Sequence, residues 1–301
     1  MRYYSLNDYC KKTFGEKVYK LSLNGGMPCP NRDGSLSYTG CFYCSEGGSG
    51  DFASDSSLPI AAQLSEARRR LSSKTDCRKF IAYFQAFTNT YAPVEYLEKI
   101  FYEAISDPSV CVLSIGTRTD CFNDEIYDLL SRLNNIKPVW IELGLQSIHQ
   151  STLDAMNTHT KVSDFTVVCN ELNKRSIKVI AHLILGLPGE TKEMMLESVD
   201  FAAKSNILGI KLQLLHVLRN TKLAELYEKD PFPLFSLEEY CDFIVDCIER
   251  LPPGMVIHRM TGDGPRKLLI APMWSTDKKR VLNTINQNLI KRNTYQGRFF
   301  M

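Results

Sequence analysis

The sequence predicts an α/β protein built as an open, partial β/α barrel, and three observations carry that reading. Six apolar, β-branched runs of strand length recur along the chain. Each is followed by a segment whose apolar residues fall at helical spacing, and the runs are almost continuously hydrophobic, as strands covered by helices are. Strand and helix alternating in this way imply parallel pairing with right-handed crossovers. Six units over roughly 230 residues fit a partial (β/α)6 barrel of TIM type, with a doubly wound sheet as the alternative.

The first run, "KVYKLSLN" (17–24), leads to helical spacing at Ile60–Leu71. The second, "KFIAYFQ" (79–85), leads to Val94–Ile105, and the third, "VCVLSIG" (110–116), to Glu125–Leu133. "VWIELGLQ" (139–146) precedes Val162–Leu172, and "KVIAHLILG" (178–186) precedes Met194–Ala203. The sixth, "GIKLQLLHV" (209–217), is followed by Leu223–Leu226 and Leu237–Ile248. Past residue 250 the alternation stops at "PPGMVIHRMTGDGPRKLLIAPMW", which carries His258, Arg259, Asp263 and Arg266. The expected organisation is therefore a barrel over 1–250 and an extension over 251–301, packed on the barrel and closing it. A last helix is expected to begin near Asp277. Its flanking Lys278, Lys279, Arg280, Lys291 and Arg292 form either a solvated face or a contact for RNA phosphates.

Composition excludes some functions. The 301 residues are 44% hydrophobic and 23% charged with a net charge of +2, ordinary globular values that do not describe a strongly basic nucleic-acid clamp. The opening "MRYYSLNDYCKKTFG" has no apolar export core and no run of eighteen apolar residues follows, so a cytoplasmic protein without a membrane span is expected. Ten cysteines in such a setting do not point to disulfides, and clustered ones are better read as ligands or nucleophiles.

Ligands in β/α folds gather at the carboxyl ends of the strands, so the six strand-to-helix loops are candidate walls of one pocket. The first holds "CPNRDGSLSYTGCFYC" (29–44), with Cys29, Cys41 and Cys44. Structural zinc wants four closed ligands, and only one CxxC is present. Three buried cysteines without a role are the blandest alternative, although Pro28, Pro30, Gly34 and Gly40 make the stretch irregular. An iron-sulfur cluster held by three thiolates is the third reading; it leaves one iron open for a ligand.

The stretches "LNGGMPCPNRDG", "YFQAFTNTYAP", "IGTRTDC", "IELGLQS", "HLILGLPGET" and "HRMTGDGPRKLLIAPMWS" together resemble the radical S-adenosylmethionine (radical SAM) superfamily. Eleven residues between the first two cysteines, against the commoner three, resemble its YhcC/YtqA-type members and the radical SAM domain of the Elongator catalytic subunit. The resemblance implies that Cys29, Cys41 and Cys44 hold three irons of a 4Fe-4S cluster while S-adenosylmethionine chelates the fourth. Reductive cleavage of that cofactor would yield a 5′-deoxyadenosyl radical that abstracts a substrate hydrogen. Phe42 and Tyr43 would shield the cluster and flank the adenine, or anchor the loop to the core.

Gln85, Ala86 and Thr88 stand where the superfamily often carries a glycine-rich stretch with an acid for the cofactor's amino group. Glu142 shares a strand face with Gly144 and Gln146, and either pairs with Arg118 or contacts cofactor or substrate. "AHLILGLPGE" resembles the adenine-contacting stretch, with Gly186 and Gly189 allowing close backbone approach and His182 at a ribose-contacting position. His216 and Arg219 are expected at the same mouth. Relatives often place an arginine after the asparagine of the fourth loop, but "MNTHTK" offers Asn157 and Thr158, leaving His159 or Lys161 for the cofactor carboxylate. Cys121, in the third loop, faces the pocket or is buried.

The resemblance points to transfer RNA as substrate and to a reducing donor such as flavodoxin or ferredoxin. The expected reaction converts 5-carboxymethylaminomethyl-(2-thio)uridine at the wobble position to the 5-aminomethyl base. Arg118, Arg219, Arg259 or Arg266 would pair with the substrate carboxylate. The alternatives are a radical SAM enzyme acting on a different small molecule, a non-catalytic iron-sulfur or zinc protein, and a plain barrel hydrolase or isomerase with incidental cysteines.

Overall fold

Alternating side chains along parallel strands divide the chain into an inner and an outer face, and both faces are filled. The computed structural model describes residues 2–72, 76–262 and 264–300. After an N-terminal helix α1 (Leu6–Phe14), the strands are β1 (Tyr19–Leu23), β2 (Phe80–Phe84), β3 (Val110–Thr117), β4 (Val139–Gln146), β5 (Lys178–Leu185) and β6 (Gly209–Leu214). A short β7 (Val217–Leu218) precedes β8 (Val256–Arg259) and β9 (Leu269–Ala271). One sheet runs β1-β2-β3-β4-β5-β6-β8 with every pair parallel, and β7 and β9 form a separate antiparallel pair. The seven strands form a half-barrel; six of them are the runs of the predicted partial barrel, and β8 is an additional edge strand.

Helices α2 (Ile60–Ser72), α3 (Val94–Ser106), α4 (Asp124–Asn134), α6 (Val162–Lys174), α7 (Lys192–Lys204) and α9 (Leu237–Arg250) cover the outer face. Two shorter helices, α5 (Gln150–Ala155) and α8 (Lys222–Lys229), sit in the strand-to-helix connections, and α10 (Lys278–Lys291) packs on α9. Local sequence starts several of these helices. The side chains of Asn123, Thr191, Thr221 and Ser236 accept hydrogen bonds from the first-turn backbone, and Ser236 forms a capping box with Glu239.

Outward residues such as Phe84, Leu113, Ile141, Leu183 and Ile210 join the helices in one large core. The inner face has its own smaller core of Val18, Ile81, Val112, Trp140 and Ile180, closed from below by α1 through Leu6, Tyr9, Cys10 and Phe14. Tyr9 meets the Trp140 ring edge-on at 5.8 Å, and His258 meets it at 5.6 Å. Helix α1 is set by a Ser5–Asp8 capping box and stopped by Gly15 in the left-handed region (φ 81°). Ser5 also bridges to Ile257 of β8, and Tyr4 N–H donates to Gln296 Oε1 at 2.8 Å, so both ends of the chain bracket the β8 edge.

Trp140 is among the largest fully buried side chains and fills the barrel bottom. Trp140→Ala is expected to cost about 3–5 kcal/mol, lowering the thermal midpoint by roughly 6–20 °C. A fall of less than about 2 °C in a melting curve would show that the inner core does not hold the barrel together.

Candidate functional site

A cavity of about 250 Å³ opens at the carboxyl ends of the strands. Of the residues singled out in the sequence, Cys29, Cys41, Tyr43, Cys44, Gln85, Thr88, Arg118, Glu142, Gln146, His182 and His216 line it. Ala86 and Gly186 do not: Ala86 is buried behind the wall against Gly50, and Gly186 packs beside Phe235 with its N–H 3.0 Å from Met195 Sδ.

The cysteine loop has no helix or strand of its own, so its shape comes from cross-links. Arg32 Nη2 donates to the carbonyls of Cys44 (3.0 Å) and Ser45 (2.7 Å), drawing the CxxC back over the spacer. Gly40 is in the left-handed region (φ 74°), and a Cβ there would lie 2.7 Å from Arg32 Nε. Asn157, also left-handed (φ 54°), donates from its amide to Gly40 O at 2.9 Å, and its own carbonyl accepts from Asn31 Nδ2 at 2.6 Å. Phe42 bonds through its backbone to Met156 and Leu223, and its ring packs with Tyr43 on the cluster of Met156, Leu187, Leu215 and Leu223. Phe42 is thus an anchor, whereas Tyr43 both anchors the loop and lines the cavity.

The thiols suit a cluster. None of the ten cysteines is in a disulfide, and among the described residues Cys29, Cys41 and Cys44 are the cysteines on the cavity wall. A hydrogen bond from Cys44 outweighs burial and, with the Arg118 charge and the Asn31 amide at 3.4 Å, brings Cys41 down to about 6. No three His, Cys, Asp or Glu side chains among the described residues group as one metal ion would need. A 4Fe-4S cluster does not ask for such convergence, because its three thiolates bind three different irons.

The remaining walls come from the other loops. Gln85 Nε2 donates to Ser49 O at 2.7 Å, and Thr88 N–H donates to Pro28 O at 3.3 Å, which ties the second loop to the first. Gln146 ends β4 in the left-handed region (φ 62°), beside an irregularity in the β4–β5 register, and its Oε1 is buried without a partner. His216 is wedged against Gly262 and Gly264, where added Cβ atoms would come within 2.2 and 2.6 Å of its ring.

Below the mouth lies a layer of charge. Glu142 is 1% exposed and ion-pairs with both Lys20 and Lys211. Ser114 Oγ donates to it at 2.6 Å, and His182 Nε2 lies 2.8 Å from its second oxygen. Burial alone would raise the Glu142 carboxyl, but Lys20, Lys211 and the His182 hydrogen bond hold it well below the usual range. Burial, reinforced by Lys211, brings His182 down to about 4, so the imidazole is neutral at neutral pH.

Several expectations change here. Arg118 does not pair with Glu142; it grips Asp120 with Nε (2.9 Å) and Nη2 (2.7 Å), while the two lysines, sharing Glu142's interior layer, take the carboxylate. Arg219, Arg266, His159 and Lys161 are exposed and off the cavity wall, whereas Arg259 lines it. Asp263 lies outside the described residues. Cys121 is buried beside Asp120 and off the wall, and burial pushes its thiol up. Sequence reasoning missed Lys20 and Lys211, although each occupies an inward position of a run already read as a strand; period-two counting from Glu142 across the sheet would have found them.

Two outcomes follow from this geometry. Asn31→Ala removes the amide at Cys41 and one clasp on Asn157, and iron retention by the reconstituted protein should weaken about ten- to a hundredfold against a chelator; an unchanged chelator titration would remove Asn31 from the site. An unfolded histidine titrates near 6.5, so between pH 6.5 and about 4 the unfolded chain binds a proton at His182 that the folded chain refuses. That part of the stability is complete above 6.5 and declines as the pH falls. His182→Gln should spare about 2 kcal/mol of the loss between pH 7 and 5 seen in urea unfolding, and parallel losses in both proteins would refute the assignment.

Comparison with known proteins fits this geometry. Residues 37–202 match the Radical SAM superfamily, and residues 207–291 match the Radical_SAM C-terminal domain. The uncharacterized protein YtqA of Bacillus subtilis is 42% identical over 299 residues, 99% of this chain and 93% of that protein. The tRNA uridine(34) acetyltransferase of Methanocaldococcus jannaschii is 26% identical over 169 residues, 53% of this chain and 30% of that protein. Among solved structures, the Elp3 of Methanocaldococcus infernus superposes with a TM-score of 0.70 at 16% identity, a likeness of fold that covers 93% of this chain. The chain spans 64% of the length of that structure. With both parts of the chain matched and YtqA similar along nearly its whole length, the chain belongs to the radical SAM superfamily and, within it, to the YhcC/YtqA type.

Proposed function

We propose that this protein acts on the wobble uridine of transfer RNA, removing the carboxymethyl part of 5-carboxymethylaminomethyl-(2-thio)uridine to leave the 5-aminomethyl base. As a radical SAM enzyme it works with a 4Fe-4S cluster and S-adenosylmethionine. When bound, that pair supplies a 5′-deoxyadenosyl radical able to take a hydrogen atom from an unactivated carbon. The observation that carries the reading is the cavity itself, with three cysteines on one side and the side chains of Lys211 and Arg259 on the other. Such a chamber suits a flat base bearing a short side chain that ends in an acid. The likeness to a tRNA uridine(34) acetyltransferase over about half of this chain supports transfer RNA as the carrier.

In this reading each side chain has a task. Cys29, Cys41 and Cys44 hold three irons, and Asn31 and Arg118 stabilise the thiolate of Cys41. Arg118, oriented by Asp120 and felt electrostatically by Cys41, is the cation on the cysteine side suited to the cofactor carboxylate. The buried, unpartnered Gln146 Oε1 and the strand-end Gln85 offer acceptors to the cofactor's hydroxyl or ammonium hydrogens, with Thr88 beside them. Tyr43 keeps water from the cysteine side, and His216 closes the wall opposite. A small reducing protein, flavodoxin or ferredoxin, provides the electron.

Anaerobic reconstitution with iron and sulfide, followed by reduction and addition of S-adenosylmethionine, is expected to yield 5′-deoxyadenosine, and Cys41→Ala is expected to abolish it. Sustained 5′-deoxyadenosine from a chain with all three cysteines changed to alanine would refute the cluster assignment. The substrate is tested separately: transfer RNA from a deletion strain should accumulate the carboxymethylaminomethyl base at the expense of the aminomethyl base, and unchanged nucleoside levels would sink the wobble-uridine reading.

A further inference from the structure

The mouth of the cavity is electrically divided. On the cysteine side Asp33, Glu46, Asp51 and Asp55 are exposed. Between residues 21 and 67 the chain has a single cation, Arg32, and its guanidinium is turned onto the carbonyls of Cys44 and Ser45. Across the mouth the sign reverses. Thr158, Thr160, Leu218 and Gly264 line the wall there, and Lys161, Arg219, Arg266 and Lys267, within three positions of them in sequence, are exposed outside it.

Local packing holds this basic lip together. The cluster of Met156, Leu215, Val217 and Leu223 also takes in Ile270 and Ala271, so the fourth loop and the β7–β9 pair share one base. Arg219 N–H donates to Leu268 O at 2.7 Å, while the N–H groups of Leu268 and Leu269 donate to Pro265 O at 2.9 and 3.1 Å. Those bonds fix the turn that carries Arg266 and Lys267 beside Arg219. The stretches that supply the lip, 155–163, 201–224 and 264–276, contain no aspartate or glutamate; Asp263, which precedes the last of them, lies outside the described residues. Other surface arginines are matched by acids, Arg132 by Glu98, Arg250 by Asp200 and Arg292 by Asp246. Among the described residues, none of the four lip cations has an ion pair or a side-chain hydrogen bond.

A polyanion fits this division. For a uridine within a strand to reach the cavity, its base must leave the stack and enter, while the flanking phosphates stay outside the mouth. Charges act over about 8 Å at physiological salt, so the acidic lip repels those phosphates and the basic lip holds them. Arginine adds a planar fork that matches phosphate oxygens.

We propose that Lys161, Arg219, Arg266 and Lys267 seat an RNA backbone, holding the phosphates that flank the substrate nucleotide along the β7–β9 lip. The inference rests on the wobble-uridine reading proposed above, and adds to it the surface that holds the transfer RNA. The strand lies on the side of the mouth away from the cysteines, and only the base spans the distance to them.

A fluorescent RNA stem-loop with a uridine at the wobble position of its loop, titrated with the protein between about 50 and 200 mM salt, tests it. Affinity should fall as salt rises. A chain carrying Arg219→Gln, Arg266→Gln and Lys267→Gln should lose about 2 from the slope of log affinity against log salt, at roughly 0.7 for each single-strand phosphate contact. The control chain, with Lys12→Gln, Lys178→Gln and Lys204→Gln, loses the same charge from exposed positions at the opposite end of the barrel and should keep the slope. Equal losses in the two chains would overturn the lip, as would an unchanged slope in the first; the wobble-uridine reading would then still rest on the nucleosides of the deletion strain. RNA bound by the unmutated protein with no dependence on salt, a result that needs no variant to fold, overturns it likewise. RNA held through the lip while those nucleosides are unchanged would uphold the surface and overturn the wobble uridine. Flavodoxin bound through the lip, with RNA indifferent to the three substitutions, would overturn RNA as the occupant.

Discussion

The Glu142 carboxylate is the contact on which the interior depends. It sits on β4 and is met by Lys20 of β1, Ser114 of β3, His182 of β5 and Lys211 of β6, so one side chain gathers groups from four of the other six sheet strands. Such a cluster is a poor way to gain stability, since desolvating the ions costs as much as or more than their attraction returns. Its effect is geometric. Apolar residues at these positions would fill the half-barrel as Ile81, Val112 and Ile180 fill it one layer below. A charged layer instead holds the strands in fixed register around a polar space, and the cavity is what remains above it.

The cysteine loop depends on that scaffold in turn. Its clasps come from Asn157 and Met156 after β4, from Leu223 after β7 and from Thr88 after β2. The loop is therefore shaped by the finished barrel, and its left-handed turns at Gly34 and Gly40 fall on glycines, which adopt that region without strain. The left-handed backbone of Asn157 serves the same end from the other side, turning its amide onto the Gly40 carbonyl.

Most of the architecture was legible in the sequence because strands buried on both faces announce themselves as apolar runs. Each of the six predicted strands begins and ends within a few residues of its expected place. The seventh, β8, is only four residues long and follows two helices and a Pro-Pro-Gly turn, so no run marks it. Helix α1 was also missed: its stripe of Leu6, Tyr9, Cys10 and Phe14 is only nine residues long and precedes the first strand, and its function as a stopper appears only when Trp140 is above it. The three cysteines stood out as a group by their spacing, and the resemblance to the radical SAM superfamily implied their role as cluster ligands. The inward positions of Lys20 and Lys211 follow from the same alternation, but their meeting at Glu142 does not, because β1 and β6 come together only when the sheet curls. Arg118 looked the better partner because it was the nearest cation to end a neighbouring strand.

The clasps on the cysteine loop also bear on how the molecule is made. The loop leaves the ribosome early, while Asn157 follows more than a hundred residues later and Leu223 later still. Arg259, on the far side of the cavity, comes later still in the chain, as does the Gln296 contact at the β8 edge. The part of the site synthesised first thus reaches its final shape only after the residues that clasp it, more than a hundred positions further on, have been made.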